Sequence, residues 1–144
     1  MDEQQILNDL VSSWVSLGMQ FAGDAPNVTA FYIYVSSEQG AVFPEIYVEQ
    51  DGTVLHPSDV QGTDTAHERV GRMHRLQFDD LRVAEQRFDE IGVPRPTEYR
   101  IYFEPATRKL DVQLSRELIY ANHATKMPEF GIVDWIGDRA PRPF

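Results

Sequence analysis

Four histidines are the side chains in this sequence best suited to bind a metal ion or to carry a proton near neutral pH. They are His56, His67, His74 and His123. His67 and His74 lie on one predicted helix, two turns apart, and a separation of about 10 Å is too long for one ion. The acidic neighbours Asp79 and Asp80 point in different directions from that helix. No phosphate loop, nucleophile elbow or zinc-protease motif occurs, so we expect no metal site, no cofactor and no enzyme.

Three arginines at three-residue spacing, Arg69, Arg72 and Arg75, could contact the phosphates of a nucleic acid. Acidic neighbours on the same predicted helix, among them Glu68 and Asp79, are close enough in sequence to form helical ion pairs with them. We therefore interpret the arginines as part of a neutralised surface helix. The sequence favours no nucleic-acid partner.

Tyrosines and carboxylates alternate with apolar residues from Thr29 to His56, which is the period of strands with one buried face. Turns centred on Gln39-Gly40 and Asp51-Gly52 would fold this stretch into two hairpins and set Tyr32 opposite Tyr47. Tyrosine supplies large contact area in interfaces, and carboxylates speed encounter with a basic partner. The predicted partner-binding residues are Tyr32, Tyr34, Glu45, Tyr47, Glu49, Asp51, His56, Asp59 and Tyr102. In the alternative interpretation, a third layer such as the C-terminal segment or a second subunit covers the tyrosines.

Charge is distributed unevenly along the chain, whose formal net charge is −10. Residues 1–68 contain eleven acidic residues and no lysine or arginine, whereas the remainder holds twelve acids and thirteen bases. A field of one sign repels nucleic acids and anionic membranes and attracts basic partners, although acidity can also serve solubility alone. The chain has no cysteine, which excludes disulfides and thiolate sites. It also has no apolar run of membrane-spanning length and begins with acidic residues, so we expect a cytoplasmic protein.

Two amphipathic helices and two hairpins account for most of the sequence. Apolar residues at three- and four-residue steps predict a first helix over Gln4–Phe21 and a second over Ala66–Ile91. A capping box of Thr65 and Glu68 would open the second helix, and Gly92 would end it. A late hairpin, with its loop at Ala106-Thr107, pairs apolar residues with apolar residues. The final thirty residues predict a short helix followed by a loose tail over residues 139–144.

These elements predict an α+β fold of a single domain, residues 1–144, in the order α-β-β-β-α-β-β-α. Because each strand has one apolar face, we expect a five-stranded antiparallel sheet with the two main helices on that face. The other face would stay open unless a third layer covers it. The residues expected to be buried are Trp14, Ile33, Ile46, Phe88, Ile101 and Val112.

The order of elements resembles that of the YezG-like immunity proteins, small acidic bacterial antitoxins that bind and silence a secreted or contact-delivered toxin. The best local matches are the run from Ala30 to Val35 and the later Trp135-Ile136-Gly137. The resemblance implies a non-enzymatic inhibitor of a toxin, often a nuclease, with no cofactor. The implied partner is a cognate toxin with a basic surface, and the implied state is a monomer or a homodimer.

Two other functions are compatible with the same pattern. The element order also resembles that of the type III secretion effector chaperones, which are acidic. This resemblance would imply a dimer through the second helix and an unfolded client segment as the partner. A small enzyme or ligand-binding domain of unknown substrate is the second alternative. An immunity protein should be stable alone before its toxin arrives, whereas a chaperone of this type should be an obligate dimer.

Overall fold

The computed structural model describes residues 1–143 and has the predicted α+β fold. The helices and strands are α1 (Glu3–Ala22), β1 (Val28–Glu38), β2 (Ala41–Gln50), β3 (Thr53–Leu55), α2 (His67–Ile91), β4 (Glu98–Phe103), β5 (Leu110–Ser115) and α3 (Gly131–Ile136). Short 3-10 turns cover Pro57–Asp59, Pro128–Phe130 and Gly137–Arg139. The predicted element order is therefore confirmed. No helix within residues 1–143 combines the length and the apolar character that crossing a bilayer requires.

The five strands form one antiparallel sheet in the order β3-β2-β1-β4-β5. Both early hairpins turn where the sequence predicted. Gln39 and Gly40 have φ angles of 51° and 83°, and Asp51 and Gly52 have 52° and 78°, as a type I′ turn requires. These turns set the predicted register, in which Tyr32 pairs with Tyr47. The late hairpin likewise pairs its apolar residues as predicted.

The first core lies between α1, α2 and the apolar face of the sheet. Trp14 is fully buried there and donates its indole N–H to the Gln77 carbonyl at 3.1 Å. Its ring meets that of Tyr99 edge-on, with centroids 5.2 Å apart. Five of the six residues expected in this core are at most 1% exposed: Trp14, Ile33, Ile46, Phe88 and Ile101. Val112 is the exception at 37%, because it lies on the edge strand β5, beside a groove that α1 leaves open.

The ends of the two main helices differ from the sequence prediction at one point. No Thr65–Glu68 capping box forms, because α2 begins at His67 and the Ala66 N–H instead donates to Asp64 Oδ1 at 2.9 Å. The other end is as predicted, since Gly92 adopts the left-handed conformation with φ 71°. A capping box that sequence reasoning missed opens α1, where Asp2 and Gln5 bind each other's backbone N–H groups.

Candidate partner-binding surface

The second face of the sheet is covered, so the prediction that its tyrosines face solvent is wrong. Tyr32, Tyr34 and Tyr47 are 4%, 0% and 1% exposed. The alternative interpretation holds instead, because residues 127–143, here called the covering segment, pack over them. Their apolar side chains form a second core with the tyrosines, to which the covering segment contributes Ile132, Trp135, Ile136 and Ala140. The tyrosine rings carry enough apolar area to make this burial favourable.

Each buried tyrosine has a defined environment. The Tyr32 ring meets Trp135 with centroids 5.4 Å apart, in an edge-on arrangement. The Tyr47 ring contacts the His56 ring with centroids 5.6 Å apart. Burial raises the pKa of both phenols, which therefore stay neutral at physiological pH. These rings stabilise the fold and are closed to a partner.

Tyr34 anchors a buried polar network at the centre of this second core. Its hydroxyl donates to Glu98 Oε2 at 2.6 Å and lies 2.5 Å from the Tyr120 hydroxyl. Arg100 Nε lies 3.1 Å from the other carboxylate oxygen of Glu98. Burial is the main cause of the raised pKa of Tyr34, and it raises the pKa of Tyr120 to about 12. The network satisfies a carboxylate that is only 5% exposed, which a sheet face without a cover would not need.

Glu38 fixes the chain that leads to the covering segment, and sequence reasoning did not identify this role. Its carboxylate accepts hydrogen bonds from the backbone N–H groups of Ile119, Tyr120 and Ala121 at 2.9–3.2 Å. Glu38 itself is 4% exposed, at the end of β1. Three converging N–H groups can balance a buried carboxylate without any basic side chain. The signal in the sequence is an acidic residue directly before a hairpin turn, which is too common to be diagnostic.

Most of the other predicted binding residues are occupied by contacts within the chain. Glu49 accepts from Arg139 and, at 2.8 Å, from the Thr29 hydroxyl. His56 Nε2 lies 2.5 Å from the Arg142 carbonyl. Through these contacts, the Arg139 side chain and the Arg142 backbone in the predicted loose tail lie against the sheet. Phe144 lies outside the described residues.

Two more predicted binding residues lie on the margins of the sheet. Glu45 reaches His74 on α2, with 2.7 Å between Oε1 and Nε2. Tyr102 is half-buried and donates to Glu104. Neither side chain is free to form a new contact without first losing this one. The expected partner-binding face is therefore a set of internal contacts at seven of its nine positions.

Asp51 and Asp59 are the two predicted residues that remain exposed. Both lie on loops that hydrogen bonds link at one end of the sheet. The Asp51 N–H donates to the Asn27 carbonyl at 3.1 Å, and Gln50 exchanges hydrogen bonds with the backbone of Gln61 at 2.8 and 2.9 Å. Exposed aspartates on these loops, Asp24, Asp51, Asp59 and Asp64, are here called the acidic end. Within residues 1–143, none of the four forms an ion pair.

The arginines of α2 are arranged differently from the sequence prediction. Arg69 donates to the carbonyls of Asp64 and Gln20, and its guanidinium lies 4.7 Å from the centroid of the Phe21 ring. Arg72 and Arg75 are exposed, and neither forms an ion pair among the described residues. The expected neutralisation of this stripe by helical neighbours is therefore wrong. The carbonyls of Gln20 and Asp64 compete for Arg69, and the other two side chains are exposed to solvent.

The surface of the protein also has two concave features, neither of which is lined by the aspartates of the acidic end. A groove of about 610 Å³ runs between α1 and β5, and its lining is mostly apolar. A cleft of about 640 Å³ lies between α2 and the β1–β2 turn, where Arg95 bridges Asp89 and Glu85. Within residues 1–143 no three histidine or acidic side chains come close enough together to hold a metal ion. The sequence predicted neither feature. Alternation places the groove residues of β5 in the core, and the residues that line the cleft are far apart in the sequence.

Compared with models of known protein families and with curated proteins, the sequence matches none. The function proposed below therefore rests on the chain's own surfaces.

Proposed function

We propose that this protein is an immunity protein, an antitoxin that binds a bacterial toxin through its acidic end. The observation that carries the proposal is a group of four exposed aspartates with no ion-pair partner within residues 1–143. Carboxylates that are not neutralised within their own chain attract a basic surface and speed its association. The chain's uncompensated charge thus lies where a partner can reach it.

Rigidity of the loops supports this role. Gln50 joins the β2–β3 turn to Gln61 and also donates to the Pro26 carbonyl at 2.8 Å. A surface that is already ordered loses little conformational entropy on binding, which favours tight association. The two helices and two cores give the free protein its own stability, as an inhibitor that waits for its target requires. No cofactor enters this mechanism, which is steric and electrostatic.

The dimeric secretion chaperone is less well supported. That function would bring two copies together through α2, whose exposed side chains include bases, such as Arg72 and Arg75, and acids, such as Glu90. A face so rich in charge is unlike the core of a protein interface, where charged residues are depleted. The protein-binding function with a basic partner therefore accounts better for both charged surfaces. It also accounts for the absence of lysine and arginine from residues 1–68.

Charge reversal tests the proposal. The double variant Asp24→Lys/Asp59→Lys changes the net charge by four units at exposed positions with no positive φ angle, so the melting temperature should stay nearly constant. Where a secreted toxin is encoded beside this gene, bacteria that express it should lose protection, and affinity for that toxin should fall at least tenfold at low salt. The difference should shrink in high salt because ions screen long-range attraction.

A matched control makes the same change of charge elsewhere. Glu90 and Glu117 are exposed and form no ion pair within residues 1–143, so Glu90→Lys/Glu117→Lys should still protect. If both double variants protect equally, the acidic end is not the binding surface. If the wild-type protein itself neither binds nor protects against that toxin, the proposed function is wrong.

A further inference from the structure

The outer edge of β5 is an unpaired strand edge. Within residues 1–143, β5 pairs with β4 alone and ends the sheet. The backbone groups of successive residues in β4 point alternately to β1 and to β5. The Ser37 N–H donates to the Thr97 carbonyl at 2.8 Å, which fixes this alternation. Glu98, Arg100 and Tyr102 therefore direct their backbone groups to β5. Across β5 the same alternation leaves Leu110, Val112 and Leu114 with N–H and C=O groups directed outward.

Apolar side chains accompany these free backbone groups. Leu110 and Val112 are 50% and 37% exposed, and both line the groove between β5 and α1. On the other side, α1 contributes Leu7, Val11 and Val15. A strand edge with free hydrogen-bonding groups and an apolar face is a template for pairing with another strand. This edge carries no proline and no inward-pointing charge that would prevent such pairing.

The sequence of β5 is complementary to itself. If two copies pair antiparallel about a two-fold axis through Val112, that residue faces its own equivalent and Leu110 faces the partner's Leu114. All three pairs are then of the hydrogen-bonded kind, and each exchanges two backbone hydrogen bonds. On the opposite face, Asp111 meets the partner's Gln113, which is a favourable polar pair.

The neighbouring register centred one residue earlier is less favourable. A two-fold axis through Asp111 would set that carboxylate against its own equivalent, and like charges directly opposite each other destabilise a sheet. At the groove margin, the charge of Arg116 is balanced by Glu3, with 2.6 Å between their side chains. Two copies can therefore approach here despite the net charge of −10. A basic foreign strand would find no excess of negative charge to favour it.

We infer that this protein forms a two-fold dimer by antiparallel pairing of its β5 edges, which joins the two sheets into one. Pairing covers the free backbone groups and brings the apolar residues of both grooves together. Because β3 is the strand farthest from β5, the acidic ends would lie at opposite extremes of the joined sheet. The inference is independent of the proposed function, since a dimer of this kind leaves both acidic ends accessible.

Sedimentation and light scattering measure the oligomeric state directly. Wild-type protein at micromolar concentration should have twice the chain mass of 16.5 kDa, and Leu110→Lys/Val112→Lys should have the single-chain mass with an unchanged circular dichroism spectrum. Val83→Lys places the same charge on a 49% exposed apolar residue of α2 and should leave the dimer intact. A monomeric wild-type protein, or a dimer that Val83→Lys disrupts and the β5 variant does not, would overturn the inference.

A crosslink tests the register even if the charged variant fails to fold. The chain has no cysteine, so Val112→Cys introduces a single thiol at the proposed axis. Hydrogen-bonded antiparallel pairs have Cβ atoms about 5.5 Å apart, slightly beyond the reach of a disulfide but within that of a short bifunctional thiol crosslinker. Such a reagent should convert Val112→Cys to a covalent dimer and leave Val83→Cys largely uncrosslinked. Equal crosslinking of the two variants would reject the β5 interface.

Discussion

Gly131 lies against the ring of Tyr34 so closely that a Cβ atom at this position would be 2.2 Å from Tyr34 Cζ. The side chain of every other residue type would collide with a ring that is itself fully buried. Glycine at the start of α3 therefore allows the covering segment to reach the sheet. The contact joins the centre of β1 to a residue nearly one hundred positions later in the chain.

Gly131→Ala should destabilise the protein by about 1–3 kcal/mol, since overpacking a filled site forces neighbouring groups apart. Urea denaturation measures the loss, and hydrogen exchange should rise first in the covering segment. Gly71→Ala is the matched control, because its Cβ would meet nothing closer than 3.7 Å within α2. In a helix interior that change should stabilise by about 0.5–1 kcal/mol. Equal effects of the two substitutions would contradict the close contact.

Tyr34→Phe should cost about 1–3 kcal/mol, because it leaves the buried Glu98 carboxylate without its hydroxyl donor. Chemical denaturation of the wild-type and variant proteins gives the difference. Tyr102→Phe removes a hydroxyl that also binds a carboxylate, but from a half-buried ring, and should cost much less. If Tyr34→Phe is as stable as the wild type, the network contributes nothing to folding.

The Glu45–His74 pair should make stability depend on pH. Burial lowers the pKa of His74, but the hydrogen bond to Glu45 and its charge raise it by more, so the pKa lies above the ordinary 6.5. A raised folded-state pKa stabilises the fold below the unfolded-state pKa, and this contribution is lost as pH rises through the folded-state value. His74→Gln should therefore lose more unfolding free energy at about pH 5.5 than at about pH 8.5.

Arg75→Gln, an exposed substitution on the same helix, provides the control for that measurement and should lose the same small amount at both pH values. Unfolding free energies from urea titrations at each pH decide the matter. A loss for His74→Gln that grows with pH would mean that the histidine acts in its neutral form.

Arg139→Ala should loosen the tail with little effect on global stability. Its guanidinium donates to the Tyr32 hydroxyl at 3.0 Å and to Glu49, yet the side chain is 56% exposed. Pairs of this kind contribute about 0–1 kcal/mol. Hydrogen exchange should accelerate over residues 139–143, whereas Arg142→Ala, which removes only an exposed side chain, should leave it unchanged. Unaltered exchange in Arg139→Ala would show that backbone contacts alone hold the tail.

The arrangement of the sheet could be predicted because its signals are local. Alternation with period two fixes which residues share a face, and the Gln39-Gly40 and Asp51-Gly52 turns fix the register. The same argument failed for Val112, because alternation identifies the apolar face of a strand but does not show how far the helices extend over it. Edge position, and with it the exposed groove, depends on the strand order.

The cover over the tyrosines could not be deduced from the hairpins themselves. Tyr32 and Tyr47 have an apolar ring and a polar hydroxyl, so they suit a wet interface and a buried layer equally well. The covering segment gives little periodic signal, because it consists of 3-10 turns and one helix of six residues. Its fit depends on contacts such as that between Gly131 and Tyr34, which join residues far apart in sequence.

The ribosome synthesises the covering segment after the strands that it covers, and this order affects the nascent chain. Both early hairpins and α2 are translated before residue 127, so Tyr32, Tyr34 and Tyr47 are bare while the ribosome completes the chain. A polypeptide released before that point carries an aromatic sheet with no cover, a surface that chaperones and proteases recognise. The second core can therefore form only after translation has passed beyond the covering segment.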